Sequence, residues 1–188
     1  MRTNAVVEII LKRRSVRSFT GEQVPEEDLQ AILAAGRHAP TARNQQKWHF
    51  TVVQSPALLR DLNREAKAVA LEVGDAFARQ RASTESLNIF YGAPTLIIVS
   101  GDDRGNLIQL DCAAANQTML LAAESLGLSS CWINFLMFVF RGSKADQYKQ
   151  ALGIPAGYTP CCALVLGHRH GEPGPTPDRN PQVVNYVR

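Results

Sequence analysis

Several things are scarce or missing in this chain. Cysteine occurs four times, at Cys112, Cys131, Cys161 and Cys162, with no C-x-x-C pair and no Cys/His spacing suited to zinc. That leaves no disulfide framework and no metal site to expect, only reduced, buried thiols, with Cys161 and Cys162 pointing to opposite faces of a strand. Long apolar runs are also missing. The stretch Ala93 to Val99 is far too short to span a bilayer. At the N-terminus only Arg2 precedes the first apolar run, Glu8 interrupts it, and no small-residue cleavage site follows, so the expectation is a cytoplasmic protein. Neither G-x-G-x-x-G nor G-x-x-x-x-G-K-[ST] occurs, which withdraws direct support from the nucleotide folds built on those loops. No internal repeat is visible. Charge of one sign is not in large excess: the net charge is +3, and Glu26, Glu27 and Asp28 interrupt any continuous basic face. A dedicated nucleic-acid binder usually carries more.

What remains is ordinary globular material: 188 residues, 45% hydrophobic and 20% charged, enough for one domain over residues 1–188 with a substantial core. Thr3 or Asn4 can cap a first helix through Val6, Ile9 and Ile10 to about Arg13. Pro25 suits the first position of a second helix, whose acidic start favours the dipole. Leu29, Ile32 and Leu33 form its buried stripe, and Gly36 is placed to stop it. Trp48 to Val53 alternates as a strand. Ser55-Pro56 opens a third helix with Leu58, Leu59, Leu62, Ala66, Val69 and Val73 on one side. The segment from Gly74 to Leu87 reads as helical in part, but polar and ambiguous. Thr95 to Ser100 reads as an apolar strand ended by Gly101-Asp102-Asp103. Leu107 to Leu126 is a helix apolar on most faces, central to a core or an interface, and Gly127 closes it. Cys131 to Ile133 is a short extended piece. Ser143 and Asp146 form a candidate capping box for a helix ending at Gly153. Cys161 to Leu166 is the last core strand. The Gly/Pro-rich tail from Gly167 finishes in the β-prone Val183, Val184, Tyr186 and Val187, which suggests a strand that pairs elsewhere, on another chain.

Three segments can carry chemistry. Arg13 and Arg17, with the Ser15 hydroxyl, can converge as a phosphate clamp, because guanidinium forks match phosphate oxygens in bidentate fashion. The same residues also read as a solvated basic helix end. Between Ala39 and Trp48, a hydroxyl and several amides could address a planar heterocycle, or form a plain polar loop. From Leu126 to Asn134, small residues allow close backbone approach to a ligand, or cap a helix ahead of a strand.

The segments LKRRSVRSF, APTARNQQKWHF, NIFYGAPTLIIVSGDD, LDCAAANQTMLLAAESLGLSSCWI and ALVLGHRHGEP…DRNPQVVNY, in that order, resemble the FMN-dependent nitroreductase family nearly end to end. The resemblance implies an α+β homodimer: a three-layer α-β-α sandwich around a mainly antiparallel sheet, with the C-terminal strand exchanged between subunits. It implies an FMN oxidoreductase moving electrons from NADH or NADPH through flavin N5 to a small oxidant, such as a nitroaromatic or quinone, by ping-pong exchange. The alternative is a flavin-binding protein of the same fold with a specialised substrate or little turnover. By the same resemblance Arg13, Arg14, Ser15 and Arg17 grip the phosphate and ribityl chain, and Arg179 also meets the phosphate. Pro40, Thr41, Ala42 and Asn44 come from the partner subunit, with Gln46 on the same chain as the clamp. Backbone at Ile133, Asn134 and Phe135 faces the flavin edge. No side-chain acid, base or nucleophile is assigned. Thr41, Lys47, Ser129 and Asn134 depart from the family's usual Ser, Pro, Gly and Gly/Glu. Phe90, Tyr91, Phe135, Phe138 and Phe140 are candidate pocket walls, although such aromatics are more often core.

Overall fold

The computed structural model describes residues 2–172, 174 and 176–188. Helix α1 (Ala5–Lys12) is capped by Asn4, whose Oδ1 accepts the Val7 N–H at 3.0 Å. It buries no residue, and Val6, Ile10 and Leu11 on it stay exposed. In α2 (Glu26–Arg37) Pro25 is the cap residue, not the first helical one. Gly36 lies inside the helix and does not stop it. A Cβ there would meet Met119 Cγ at 2.8 Å, so its bareness serves close packing.

Strand β1 (Trp48–Val53) follows, then α3 (Pro56–Val73), capped by the Ser55 hydroxyl. Leu62, Ala66 and Val69 of α3 are buried, but Val73 is exposed. The ambiguous polar stretch contains α4 (Ala76–Ser83), started by the Asp75 carboxylate accepting the Ala78 N–H at 2.8 Å. Strand β2 (Thr95–Asp102) is buried along its whole length. After α5 (Ile108–Ser125), Gly127 turns at φ 77° into β3 (Ser129–Ile133). A 3₁₀ helix (Phe135–Arg141) leads to α6 (Ala145–Ala151). The expected Ser143–Asp146 capping box does not form: Lys144 is the cap residue and no side chain caps it. Strand β4 (Tyr158–Gly167) ends the regular structure.

The strands form one sheet in the order β1-β2-β4-β3, each neighbouring pair antiparallel. The register shifts between Val99 and Ser100, opposite Pro160, where a residue without an N–H is tolerated. Period-two alternation sends side chains to two cores. Leu96, Ile98, Ala163 and Val165 pack with Leu62, Ala66, Leu136 and Leu152 on one face. Ile97, Val99, Leu164 and Leu166 pack with Ile32, Met119 and Leu120 on the other. The central sheet with α3, α6 and the 3₁₀ helix on one face and α2 and α5 on the other is the expected three-layer α+β sandwich.

All four thiols are free, but Cys161 is only half-buried, so the expectation of buried thiols fails there. Among its described residues the tail makes no strand within this chain: Val183, Val184, Tyr186 and Val187 are exposed. No helix is long and apolar enough to cross a membrane among the described residues.

Candidate functional site

The backbone after α1 leaves the helix at Arg13, where ψ is 134°, and becomes extended. Ser15 then bridges Ser130 of β3, and Val16 N–H donates to the Ser130 carbonyl at 3.0 Å. Further on, Phe19 bridges Arg169, and His170 N–H donates to the Ser18 carbonyl at 2.9 Å. The 13–20 segment is thus pinned between the start of β3 and the chain leaving β4. This brings Arg13, Arg14, Ser15 and Arg17 to one wall of a cavity of about 630 Å³, with Arg169 and Arg179 on the other. Five guanidiniums therefore face one carboxylate, Glu172, which already lies 3.3 Å from Arg169. Arg14 also donates to the Gly174 carbonyl at 3.5 Å. A cavity so unbalanced in charge suits a phosphate, which can take several guanidinium forks at once.

A second cavity of about 640 Å³ adjoins it, and among the described residues Arg17 alone borders both. Its lining includes Tyr91, Trp132, Ile133, Asn134, Phe135 and Phe138. The rings of Phe135 and Phe138 lie 5.1 Å apart. Asn134 Oδ1 accepts the Trp132 indole N–H at 2.7 Å, so this departure from the family pattern holds an aromatic wall in place. Tyr91 adopts φ 58°, a conformation disfavoured for a bulky residue, and strain of this kind collects at ligand sites. Its backbone is held by Asn88 and Phe19, and its hydroxyl by Arg81. Of the candidate aromatics, Phe90 is core instead, and Phe140 packs against the same core. Phe77 and Val73 line the cavity and were not anticipated; their exposure is explained by it. Only their position beside an apolar face signals them.

Pro40, Thr41, Ala42, Asn44 and Gln46 border neither cavity. Their loop precedes β1 and is braced on α5: the Ala42 N–H donates to Asp111 Oδ1 at 3.0 Å. Thr41 Oγ1 accepts the Gln46 N–H at 3.1 Å, and Gln46 Nε2 reaches Asn44 Oδ1 at 3.0 Å. Arg43, Asn44 and Gln46 all have positive φ. The register fixes where this loop lies. Trp48 pairs with Gly101 at one end of β2, whereas Thr95 at the other end leads through Leu166 and Ser130 to Ser15. The loop and the clamp are at diagonal corners, ~20 Å apart along the sheet and ~19 Å across it. Gln46, expected to serve the site on the same chain as the clamp, lies away from the clamp here, because the sheet separates them. Lys47 has a local role: its ammonium lies 3.7 Å from the buried Asp102. Asp102 also takes a two-pronged bond from Arg104, at 2.9 and 2.7 Å. The Arg104 side-chain bonds, above all, hold this carboxyl well below the usual carboxylate range.

A cation-lined cavity that shares Arg17 with an aromatic one, on a three-layer α+β sandwich, suits a planar aromatic ligand carrying a phosphate. The chain belongs to the Nitroreductase family, whose model matches residues 10–168. It is similar to a crystallised nitroreductase with bound FMN from Bacteroides fragilis, at 36% identity and a TM-score of 0.93 over 99% of this chain and 100% of that one. It is 29% identical to nitroreductase NfnB of Mycolicibacterium smegmatis, covering 88% of this chain and 87% of that protein. To an FMN reductase (NADPH) of Bacillus subtilis it is 24% identical, covering 97% of this chain and 73% of the other.

Proposed function

We propose that this chain is an FMN-dependent oxidoreductase that takes electrons from NADH or NADPH and passes them to a small oxidant such as a nitroaromatic or quinone. The observation that carries the reading is the pair of cavities meeting at Arg17, one cationic and one aromatic. FMN in the crystallised relative and NADPH in the name of the Bacillus protein support it. When bound, FMN supplies the hydride acceptance and donation that alternate between donor and oxidant in ping-pong exchange. The chain supplies the rest. Arg13, Arg14, Ser15, Arg17 and Arg179 would hold the phosphate. Trp132, fixed by Asn134, with Phe135 and Phe138 would exclude water from a stacked ring. Arg17, at the junction, would bring positive charge next to that ring and favour its anionic reduced form.

The reading includes a homodimer. Pro40, Thr41, Ala42 and Asn44 lie at the corner diagonal to the clamp, so they reach such a site only from a second copy. Exposed Val6, Ile10 and Leu11 on α1 and Leu110 on α5 offer apolar surface for pairing. The Val183–Val187 tail segment is suited to add to an open sheet edge of the partner. A cytoplasmic location fits the reduced thiols.

Purification tests the cofactor and the reaction directly. The expected protein is yellow, releases FMN on denaturation, and is bleached anaerobically by NADH or NADPH before an added oxidant restores the colour. A colourless protein that takes up no added FMN refutes the reading. Binding without bleaching leaves the flavin-carrier alternative.

A further inference from the structure

The aromatic cavity carries two cations that holding a flavin does not use. Arg81, half-buried on α4, donates to the Tyr91 hydroxyl at 3.3 Å, and its guanidinium lies 5.8 Å from the Phe77 ring centre. Arg141, at the end of the 3₁₀ helix, lies 5.2 Å from the Phe138 ring centre. Phe77 and Phe138 both line the cavity, so each guanidinium is stacked against a wall of it. Among the described residues neither arginine has a carboxylate within ion-pair distance. The cavity's one carboxylate, Asp75, is engaged by the Ala78 N–H as a helix cap. Two uncompensated positive charges beside apolar rings make a poor receptor for a neutral ligand and a good one for an anion, since aromatic walls screen charge less than water does.

We infer that Arg81 and Arg141 recognise an anionic group on the electron acceptor, so that the preferred oxidants are flat aromatic molecules bearing a carboxylate or equivalent charge; this rests on the oxidoreductase reading above. The charge belongs on the acceptor's own ring system because both arginines border the slot in which that ring stacks. The phosphates of a nicotinamide donor are held a ribose away from its reacting ring. For 4-nitrobenzoate the reaction is 4-nitrobenzoate + NADH + H⁺ → 4-nitrosobenzoate + NAD⁺ + H₂O. Two electrons pass to the nitro group, one N–O bond breaks, its oxygen leaves as water, and the carboxylate is unchanged.

The test compares 4-nitrobenzoate with the nearly isosteric 4-nitrobenzamide in wild type, Arg81→Gln, Arg141→Gln and the double variant. Intrinsic reducibility differs between the two acceptors, but it cancels when the ratio of their kcat/KM values is compared across variants. Each substitution is expected to lower the benzoate-to-benzamide ratio roughly tenfold, mainly through KM, the size of one charge-assisted hydrogen bond. Arg81→Lys should keep part of the preference. Arg141 is exposed, so Arg141→Gln is informative even if Arg81→Gln perturbs the fold around Tyr91. An independent readout is calorimetric binding to the oxidised, FMN-loaded protein of benzoate and benzamide, neither of which accepts electrons. Benzoate should bind more tightly, and both Gln substitutions should remove the difference. An equal ratio in all variants, or an effect confined to reduction by NADH, overturns the inference while a yellow, NAD(P)H-bleached protein keeps the functional reading intact. A protein that takes up no FMN removes the acceptor role together with the reading it rests on.

Discussion

Two corners of the same sheet handle charge in opposite ways. At the corner where the 13–20 segment meets the chain leaving β4, Arg13, Arg17 and Arg179 have no carboxylate within ion-pair distance among the described residues, and they border open volume. At the diagonal corner, Asp102 is buried and neutralised from two sides, by Arg104 and Lys47, and the backbone around it is tightly packed. A Cβ on Gly101 would fall 1.9 Å from Ile108 Cγ1, whereas one on Gly174, at the clamp, meets nothing within 4 Å. Charge satisfied inside the fold holds structure together. Charge left without a protein partner beside a cavity is available to a ligand. The same residue type, arginine, thus means different things at the two corners, and only the surroundings tell which.

The sharpest way to break this contrast is to replace Arg13 and Arg17 together by alanine. Each removes a charge-assisted contact of about 1.5–3 kcal/mol, so FMN affinity should fall by at least ~100-fold. Stability of the flavin-free protein should stay within about 0.5 kcal/mol, because nothing in the fold leans on either charge. Flavin absorbance per protein and a denaturation midpoint measure the two sides. Full flavin occupancy in the double variant would return these arginines to the role of a solvated helix end. Gly101→Ala is the counterpart at the packed corner. Its methyl collides with Ile108 and crowds the Cys112 sulfur at 3.1 Å, so overpacking should destabilise the protein by about 1–3 kcal/mol.

The Asp102 cluster makes a pH-dependent prediction. The folded state holds this carboxyl below its ordinary value, so the unfolded chain takes up the proton first as pH falls. Its stabilising contribution is therefore complete above about pH 4, and it is lost as pH drops below that towards the folded value. Unfolding followed between pH 6 and pH 2 should show wild type losing stability across this window. Asp102→Asn should lose less there, while being the weaker protein at neutral pH. Equal acid limbs in the two proteins would mean that the carboxylate is not the group being protonated.

Much of this was legible in the residues, and the parts that were not share a cause. The alternation from Trp48 to Val53 marks β1, and Ser55-Pro56 marks the start of α3, because local pattern and capping chemistry decide those boundaries. The grouping of Arg13, Arg14, Ser15 and Arg17 could be read because they sit close in sequence, and a bridge to β3 carries them to one wall of a cavity that the distant Arg179 also lines. Helix α4 was legible only as partial helix without bounds, since its apolar residues follow no helical stripe and it is stabilised by the Asp75 cap and by packing on α3. Gly36 resembled a helix stop because a sequence cannot reveal the methionine lying against it. Gln46 was expected to serve the site on the same chain as the clamp, and the sheet puts it at the opposite corner: position across four strands is a property of the register alone. Arg81, Arg141 and Phe77 escaped for the same reason. Their membership of one cavity is created by two helices from distant parts of the chain.

The smallest effect, and one of opposite sign, is expected at Gly174. A methyl added there finds open space. Replacing glycine at such a position restricts the unfolded chain, which stabilises a protein by about 0.4–1 kcal/mol where the native conformation accepts the change. Gly174→Ala should therefore leave the denaturation midpoint unchanged or slightly raised, against the clear fall predicted for Gly101→Ala. Its effect on FMN affinity is the finer probe. The Gly174 carbonyl, not its Cα, faces Arg14, so affinity should change by less than ~3-fold, the equivalent of about 0.6 kcal/mol. A marked loss of stability would show that the clamp wall is packed like the corner across the sheet, and that its arginines are held by the fold and not kept for a ligand.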